Sequence, residues 1–362
     1  MKKSVFVLSM IVTAVLFGGC GSRQSDAAAQ NTTEAAVSTV QENGNGTEER
    51  TDAAGTEQKD AAGSTGNYEG LEVNLGDQNS FFIIKLAEAY GFLDEEFAGE
   101  GITFHVDNFS NGTGLIEAFA SKSEDFGVSG TLPIISAIAN GSDIKILAAS
   151  KWTQRGFAYV AAPGSGIEKL EDLKGKRIGN SVGTNTHLVE LKLLHAVGLS
   201  SEDVTLENLS DNLTPLLSGD IDAAVLTGAN LSKAVDAGAT VIADCSYADF
   251  NVINSFVVRG EFAEQYPEIV SRLLKVMEKT TQYIYDHPDE AMEKFSELTQ
   301  IEVTDAKFAW DSWDHGLSVD DEHFIKPIEE SYEFLVDTGA VEDGLNIADF
   351  FDTSYYEAIP KD

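Results

Sequence analysis

Two periodicities of hydrophobic residues alternate along the middle of the chain. Short apolar runs, for example at residues 144–149 and 157–161, predict buried β-strands bounded by turn-forming residues. Between such runs lie segments with apolar residues at helical spacing, such as Leu188, Leu191 and Leu194, which predict amphipathic helices. A repeated alternation of strand and helix is typical of an α/β fold with mostly parallel sheets covered by helices on both faces.

The predicted elements extend from residue 71 to the C-terminal part of the chain. Strands are predicted at residues 71–75, 102–106, 126–131, 144–149, 157–161, 204–206, 223–226, 240–243 and 254–258. Helices are predicted after residue 80, at residues 115–121, 134–140, 187–197, 213–217 and 230–237, and over most of the chain from residue 267.

The length of this region, residues 68–362, predicts two lobes rather than one core. Crossings near residues 150–155 and 251–254 assign residues 68–153 and 252–362 to a first lobe. Residues 154–251 then form the second lobe. We expect a ligand cleft between the two lobes, because the chain passes twice from one to the other.

The first twenty residues have the layout of a secretory signal peptide, with Lys2 and Lys3, an apolar run over residues 5–17, and then Gly18-Gly19-Cys20. Small residues before a cysteine resemble a bacterial lipobox, which implies a signal peptide at residues 1–19 and lipidation of Cys20. Residues 20–67 are predicted to be the lipidated cysteine and a flexible linker, because residues 21–67 contain no Leu, Ile, Met or aromatic residue. The protein is therefore expected outside the cytoplasm, anchored by lipid to the bacterial membrane at the cell surface or in the periplasm.

The charge and the cysteines exclude several classes of function. A net charge of −36 repels the phosphates of nucleic acid and disfavours docking on anionic lipid. Cys20 and Cys245 are the two cysteines, so lipidation of Cys20 leaves Cys245 without a disulfide partner.

Sequence signatures of enzymes were sought and not found. The six histidines form no His-Glu-x-x-His pattern, and neither a Gly-x-Ser-x-Gly motif nor a P-loop lysine occurs. We therefore expect no catalytic activity, no bound metal and no cofactor.

Three polar turns precede predicted helices and could hold an anion. They are Gln78-Asn79-Ser80, Ser129-Gly130-Thr131 and Thr184-Asn185-Thr186. The first N–H groups of a helix lack intrahelical partners, and the helix dipole favours negative charge there. The alternative is ordinary N-capping by Ser, Thr and Asn. Gly130 and Gly183 favour the ligand site, because they let the backbone approach a bound molecule closely.

Trp152 follows the strand that ends the first lobe, and it could either stack on a ligand or pack at the crossing. The nearest basic residues, Lys151 and Arg155, could meet an anion, but we interpret them as solvated charges. Trp310 and Trp313 lie in a helical pattern and are predicted to belong to the core.

The order and spacing of several motifs resemble the nitrate-, sulfonate- and taurine-type substrate-binding proteins of ABC importers. The motifs cover residues 115–120, 125–133, 137–145, 170–179, 183–187, 191–199 and 217–223. The resemblance extends from residue 70 to about 300 and implies the two-lobed type II periplasmic-binding-protein fold, with the three polar turns at the ligand cleft. The chain departs from the family at Leu226-Thr227-Gly228-Ala229-Asn230, where an aromatic-acid-proline group is common. Thr227 and Asn230 would then line a wall of the ligand cleft that differs from the one common in the family.

The resemblance implies an extracytoplasmic protein, expected to be a monomer, that captures a small oxyanion-bearing solute by lobe closure and delivers it to an ABC permease. Two alternatives stay open. One is a binding protein for a neutral or cationic heteroaromatic, such as a thiamine, pyrimidine or flavin precursor. The other is a sensor subunit that presents its ligand to a membrane receptor.

Overall fold

A computed structural model describes residues 68–78 and 82–359. The signal peptide, Cys20 and the linker predicted for the N-terminal region lie outside the described residues. The described chain forms two mixed sheets flanked by helices.

The strands are β1 (Glu72–Gln78), β2 (Thr103–Phe109), β3 (Phe126–Gly130), β4 (Ile144–Thr153), β5 (Phe157–Ala161), β6 (Arg177–Asn180), β7 (Thr205–Asn208), β8 (Ala223–Thr227), β9 (Thr240–Asp244), β10 (Val252–Arg259) and β11 (Asp314–Ser318). The α-helices are α1 (Ile83–Ala89), α2 (Phe92–Glu96), α3 (Gly112–Ala120), α4 (Thr131–Ala139), α5 (Asn185–Ala196), α6 (Leu213–Ser218), α7 (Gly228–Asp236), α8 (Gly260–Gln265), α9 (Pro267–Asp286), α10 (Pro288–Thr299), α11 (Val303–Asp311), α12 (Lys326–Asp337) and α13 (Ser354–Glu357).

The first sheet has the strand order β11-β4-β10-β3-β1-β2, and the second has the order β7-β6-β8-β5-β9. In the first sheet β1, β2, β3 and β4 run in one direction, while β10 and β11 run against them. In the second sheet only β5 opposes the others. The predicted α/β fold is confirmed, but both sheets are mixed, since the described strands form four parallel and five antiparallel pairs.

The central strands of both sheets are buried on both faces, as strands between two layers of helices must be. On β10, Phe256 and Val258 belong to one hydrophobic cluster, whereas Ile253 and Val257 belong to another on the opposite face. In the second sheet, alternate residues of strand β5 likewise belong to two hydrophobic clusters on opposite faces. This two-sided burial explains why the strands read as continuous apolar runs in the sequence.

The chain passes from the first sheet to the second between β4 and β5 and returns between β9 and β10. Polar turns follow the carboxyl ends of parallel strands in both sheets, for example after β3 in the first and after β6 in the second. In α/β folds, ligands bind outside these carboxyl ends of the strands.

The segment after α9 is not purely helical. Strand β11 joins the edge of the first sheet beside β4. Helix α11 packs against α7 of the second sheet, where Lys233 and Asp305 form an ion pair at 3.5 Å. The C-terminal segment thus contacts elements of both sheets. No helix in the described part of the chain is long and apolar enough to span a membrane.

Candidate functional site

A cavity of about 460 Å³ lies where the strand ends of the two sheets meet, within the range of roughly 300–1,000 Å³ that is typical of small-molecule sites. The elements of the first sheet contribute Gln78, Phe82, Ser110, Asn111, Gly112, Gly130, Pro133, Lys151 and Asn254. The second sheet contributes Phe157, Ser181, Thr184, Asn185, Thr186, Ser210, Asn212, Val225, Leu226, Thr227, Gly228, Ala229 and Asn230. The C-terminal segment adds Phe295, Ile301, Ala306, Ala309 and Trp313.

Lys151 is the one charged side chain among the described residues of this lining. It is only 3% exposed. Its ammonium lies 4.4 Å from the ring centre of Trp313 and 5.7 Å from that of Phe82, where cation–π attraction partly replaces hydration. Burial lowers the pKa of Lys151 to about 7, although the nearby Asp77 carboxylate opposes this shift. The cleft therefore holds a partly desolvated cation that an anion would stabilise.

Lys151 and Trp152 point to opposite faces of β4, because successive side chains of a strand alternate. Lys151 faces the cleft, whereas the Trp152 ring packs against His323 with ring centres 4.7 Å apart. The structure does not place Trp152 among the lining residues. The interpretation of Lys151 as a solvated charge is wrong, since the side chain is buried.

The first polar turn is organised by the buried Asp77, which precedes it. The Asp77 carboxylate accepts the N–H groups of Gln78 at 2.7 Å and Lys85 at 2.9 Å, so it caps the first turn of α1. The Gln78 side chain donates to the carbonyl of Val128 at 2.9 Å and lines the cavity. Asn79 and Ser80 lie outside the described residues.

The second polar turn contributes only Gly130 to the described lining. Ser129 is buried, and the Thr131 hydroxyl donates to the carbonyl of Ile253 at 3.0 Å. Helix α4 begins at Thr131 itself, and the N–H of Leu132 donates to Oδ1 of Asn185 at 3.1 Å. A side chain from the second sheet therefore occupies the helix end where the sequence predicted an anion.

Asn185 connects the two sides of the cleft. Besides Leu132, it contacts β10 by donating to the carbonyl of Ile253 at 3.3 Å and to Oδ1 of Asn254 at 3.1 Å. A Cβ atom at Gly130 would lie 2.5 Å from the Asn185 amide nitrogen. Glycine is required here because Asn185 approaches the backbone so closely.

The third polar turn is held together by hydroxyl groups. Thr184 and Thr186 share a hydrogen bond of 2.8 Å, and Thr186 donates to Oδ1 of Asn180 at 2.7 Å. Thr184 is the N-cap residue of α5, but no side chain caps that helix. Both threonines and Asn185 line the cavity. Helix α5 starts two residues earlier than predicted, because the polar turn itself enters the first helical turn.

The wall at residues 226–230 forms the start of α7. The Thr227 hydroxyl donates to the carbonyl of Gly156 at 2.6 Å. Gly228 begins the helix with a φ of 53°, a conformation that favours glycine, and no side chain caps the helix. Thr227, Gly228 and Asn230 line the cavity, so the amino end of α7 borders the cleft.

The structure thus brings Gln78, Gly130, Thr184, Asn185, Thr186, Thr227 and Asn230 to one cavity. Their part in ligand binding stays a prediction. Sequence reasoning missed Asn254 and Asn111 and assigned Trp313 to the core, although Trp313 lines the cavity. Strand alternation at Lys151 and Trp152 was the one local signal that could have identified Lys151. Among the described residues, no group of three His, Cys, Asp or Glu side chains is arranged to hold a metal ion.

The comparisons with known proteins agree with this architecture. A putative aliphatic sulfonates-binding protein of Bacillus subtilis is 26% identical over 82% of this chain and 90% of its own length. The taurine-binding periplasmic protein of Escherichia coli is 29% identical over 60% of this chain and 68% of its own. The predicted resemblance to sulfonate- and taurine-binding proteins is confirmed.

Solved structures share the fold. The alkanesulfonate-binding protein of Xanthomonas axonopodis pv. citri bound to MOPS matches 78% of this chain and 99% of its own, with a TM-score of 0.72 and 19% identity. The desulfurization enzyme DSZB matches 79% of this chain and 98% of its own, with a TM-score of 0.59 and 15% identity. The fold therefore carries both binding proteins and an enzyme, and the site must decide between them.

The family assignment rests on the greater part of the folded chain. The family model described as NMT1/THI5 like matches residues 78–291, more than half of the sequence. The match includes Lys151 on β4 and the turns at Asn185 and Thr227, all of which line the cleft. The chain belongs to the NMT1/THI5-like family.

Proposed function

We propose that this protein is the solute-binding component of an ABC importer and that it captures a small solute with a sulfonate or similar oxyanion group. The observation that carries the proposal is the buried Lys151 in a cleft whose other described polar groups are neutral. Relatives named for binding aliphatic sulfonates and taurine support the same class of ligand.

The physical basis is the weak solvation of the cleft. An oxyanion beside Lys151 would form a charge-assisted interaction, which is stronger where water is excluded. Helix α7 adds N–H groups at its uncapped amino end, where the helix dipole favours negative charge. The amides of Asn254 and Asn230 and the hydroxyls of Thr184 and Thr186 could complete the hydrogen bonds of the oxyanion.

Capture would proceed by closure of two lobes, residues 68–153 with 252–362 and residues 154–251. The chain segments between β4 and β5 and between β9 and β10 would act as hinges. The hydrogen bonds of Asn185 to Leu132, Ile253 and Asn254 cross the cleft, so they would form as the lobes close.

Residues 1–67 would place the protein at its transporter. A signal peptide at residues 1–19 would direct export, and a lipid anchor on Cys20 would hold a monomer at the bacterial membrane, at the cell surface or in the periplasm. The linker to residue 67 would let it reach an ABC permease. The periplasmic location named for the Escherichia coli relative supports an extracytoplasmic protein.

We infer a binding protein rather than an enzyme, because the relatives over most of the chain are named for binding aliphatic sulfonates and taurine. A heteroaromatic ligand is the second candidate, because the rings of Phe82, Phe157 and Trp313 line the same cavity.

The proposal is tested by isothermal titration calorimetry and thermal shift of the purified protein with ethanesulfonate, taurine, nitrate, thiamine and riboflavin. We expect binding of at least one sulfonate with a Kd of about 1 μM or lower, equivalent to about −8 kcal/mol. At a ligand concentration of 100 times Kd the folded state should gain about 2.7 kcal/mol. Binding of thiamine or riboflavin alone would favour the heteroaromatic candidate, and binding of neither a sulfonate nor nitrate would refute the proposal.

A further inference from the structure

A second, much smaller cavity lies beside Lys151. Its volume is about 10 Å³, which is close to the space that a single water molecule needs. Phe82, Ile83 and Val128 form its apolar wall, and the polar residues of its described lining are Ser150, Lys151 and His315. The cavity therefore combines room for one water with the roughly two to four polar partners that a buried water requires.

The ring of His315 is held in one orientation beside this cavity. It stacks on the ring of Trp310, with centres 3.5 Å apart and an angle of 9° between the planes. The Tyr285 hydroxyl donates to the His315 carbonyl at 3.1 Å and accepts the His315 N–H at 3.3 Å. Backbone and ring are both fixed, so the positions of the two ring nitrogens are determined.

The contacts of His315 also determine its tautomer. Nε2 lies 3.0 Å from the carbonyl oxygen of Trp310. A carbonyl oxygen can only accept a hydrogen bond, so Nε2 carries the proton and Nδ1 of the neutral ring keeps a lone pair. Burial, assisted by the charge of Lys151, lowers the pKa of His315 to about 3, which holds the ring in this neutral form. His315 therefore offers a hydrogen-bond acceptor at Nδ1.

This acceptor forms no hydrogen bond with any described protein atom. His315 is only 8% exposed, and Nδ1 itself is buried. A buried acceptor without a hydrogen bond is unfavourable and rare in folded proteins. His315 of β11 lies directly opposite Lys151 of β4, whose ammonium is a hydrogen-bond donor. The geometry thus leaves an acceptor, a donor and a space for one water side by side.

Ser150 supplies a third polar partner. It lies at a bulge of β4, where it has no partner residue on β10, and bulges redirect side chains next to functional sites. The Ser150 hydroxyl donates to the carbonyl of Asn254 at 3.0 Å, so its oxygen can still accept. A water in the cavity could donate to Nδ1 of His315 and to Oγ of Ser150 while it accepts a proton of the Lys151 ammonium.

We propose that a water in this small cavity bridges Nδ1 of His315 and the ammonium of Lys151, and that His315 is a positioning residue that keeps this ammonium charged and directed to the cleft. The inference rests on the proposed function, which places the oxyanion beside Lys151. His315 would not touch the solute and would act through Lys151. It lies beyond residue 291, where the family match ends, so the family match assigns it no role.

Few charged groups act on Lys151. Among the described residues, Asp77 of β1 and His315 of β11 interact with it electrostatically, and Lys85 of α1 acts in turn on Asp77. The other neighbours are uncharged, namely Asn254 of β10, Phe82 and Trp313. Substitution of His315 leaves the remaining charges in place, so a change in the pKa of Lys151 can be assigned to His315.

The test compares His315→Asn with His315→Leu. Asparagine and leucine have nearly the same shape, but only asparagine keeps an acceptor near the position of Nδ1. The pKa of Lys151 is measured in both ligand-free variants by NMR of the labelled lysine side chain. We expect this pKa to be about one unit lower in the Leu variant, because a hydrogen bond to the ammonium favours its charged form.

Sulfonate binding should follow the same difference. If the Asn variant keeps the wild-type Lys151 pKa of about 7, the Leu variant should hold about one fifth as much protonated Lys151 at pH 7, and its Kd should be about fivefold higher. At pH 5 Lys151 is protonated in both variants, so the two Kd values should agree. A purely structural role of His315 would separate the variants equally at both pH values and would contradict the inference.

His323 provides the matched control. Its ring packs against Trp152, on the opposite face of β4 from Lys151. His323→Asn and His323→Leu should therefore leave the pKa of Lys151 unchanged. An equal effect of the substitutions at both histidines would refute a specific role for His315.

The wild-type protein gives a test that does not depend on variants that may misfold. Nitrogen NMR of His315 should show a protonated Nε2 and an unprotonated Nδ1, and a crystal structure should show one ordered water within about 3.2 Å of Nδ1 and of the Lys151 ammonium. The opposite tautomer, or equal Lys151 pKa values in the Asn and Leu variants, would refute the inference while the proposed function stands. Binding of neither a sulfonate nor nitrate would refute the proposed function and with it the positioning role, whereas the NMR comparison alone decides the bridge.

Discussion

Lys151 shows how a single residue acquires its chemistry from its surroundings. Its neighbours in the first sheet are Asn254 on β10 and His315 on β11, and Asp77 on β1 acts on it electrostatically. Burial and the Lys151 charge lower the pKa of His315 to about 3, and burial raises that of Asp77 to about 6. Between pH 7 and 9, His315 is therefore neutral and Asp77 is ionised, and Lys151 is the member of this group that titrates.

Sulfonate affinity should accordingly decrease with rising pH. A bound anion raises the pKa of Lys151 above its ligand-free value of about 7. The complex then holds more protons than the free protein above pH 7, so Kd should increase by up to about tenfold per pH unit between pH 7 and 9. Below pH 7 Lys151 is mostly protonated in both states and contributes no such slope. Calorimetry in buffers of different ionisation enthalpy would measure the accompanying proton uptake.

The control variant is Lys151→Met, which keeps an unbranched side chain one atom shorter and removes its charge. We expect its Kd at pH 7 to be at least about tenfold higher, because a charge-assisted contact is lost. Its affinity should not change between pH 7 and 9. A pH slope that persists in this variant would assign the titration to another group.

At the scale of elements, the facing ends of α4 and α5 determine how the cleft is joined. Asn185 at the start of α5 accepts the N–H of Leu132 in α4, and Gly130 leaves the space for it. Asn140 at the other end of α4 is exposed and donates to the carbonyl of Ser136 in its own helix. An asparagine at the amino end of α4 thus connects the two sides of the cleft, whereas the asparagine at its carboxyl end only caps the helix.

A double-mutant cycle should reveal coupling between Gly130 and Asn185. Gly130→Ala places a Cβ atom against the Asn185 amide, so we expect Kd for the best sulfonate to rise at least about tenfold. In an Asn185→Ala background the same substitution should cost less than about threefold, because the obstructing amide is gone. Asn140→Ala should leave Kd unchanged. Additive effects of Gly130→Ala and Asn185→Ala would contradict a contact formed on closure.

At the scale of the whole molecule, distant segments of the chain connect the two sides of the cleft. The C-terminal segment contributes β11 to the first sheet and packs α11 against α7 of the second. These contacts, together with those of Asn185, would define the end point of the proposed closure.

Ligand binding should bring the two lobes closer together. Fluorescent labels attached to Glu117→Cys on α3 and Glu168→Cys before β6 would report the distance, since both positions are exposed. The native Cys245 is fully buried, and burial raises the pKa of its thiol, so it should not compete for the label. We expect energy transfer to change on addition of sulfonate and to change little in the Asn185→Ala variant. A ligand that binds without any change in transfer would argue against lobe closure.

The sequence by itself determined the class of fold, because periodicity is a property of neighbouring residues. Strand β5 was predicted at its observed limits, since its residues are apolar on both faces. The polar turn at residues 184–186 was found because it precedes a helix with apolar residues at helical spacing. Residues 227–230 were found instead because the chain departs there from the motif that is common in the family it resembles. The family resemblance followed from the spacing of such motifs.

Only the tertiary structure decided which polar groups face the ligand cavity. Lys151 is buried because α1 and the segment before β11 cover it with Phe82 and Trp313, which are distant in sequence. At the amino end of α4, the N–H of Leu132 donates to Asn185, which reaches it from the second sheet. The position of β11 likewise depends on its pairing with β4, and that of the C-terminal residues lining the cavity depends on the packing of α11 on α7. Burial and charge compensation arise from such long-range contacts, whereas local periodicity reports only which face of an element is apolar.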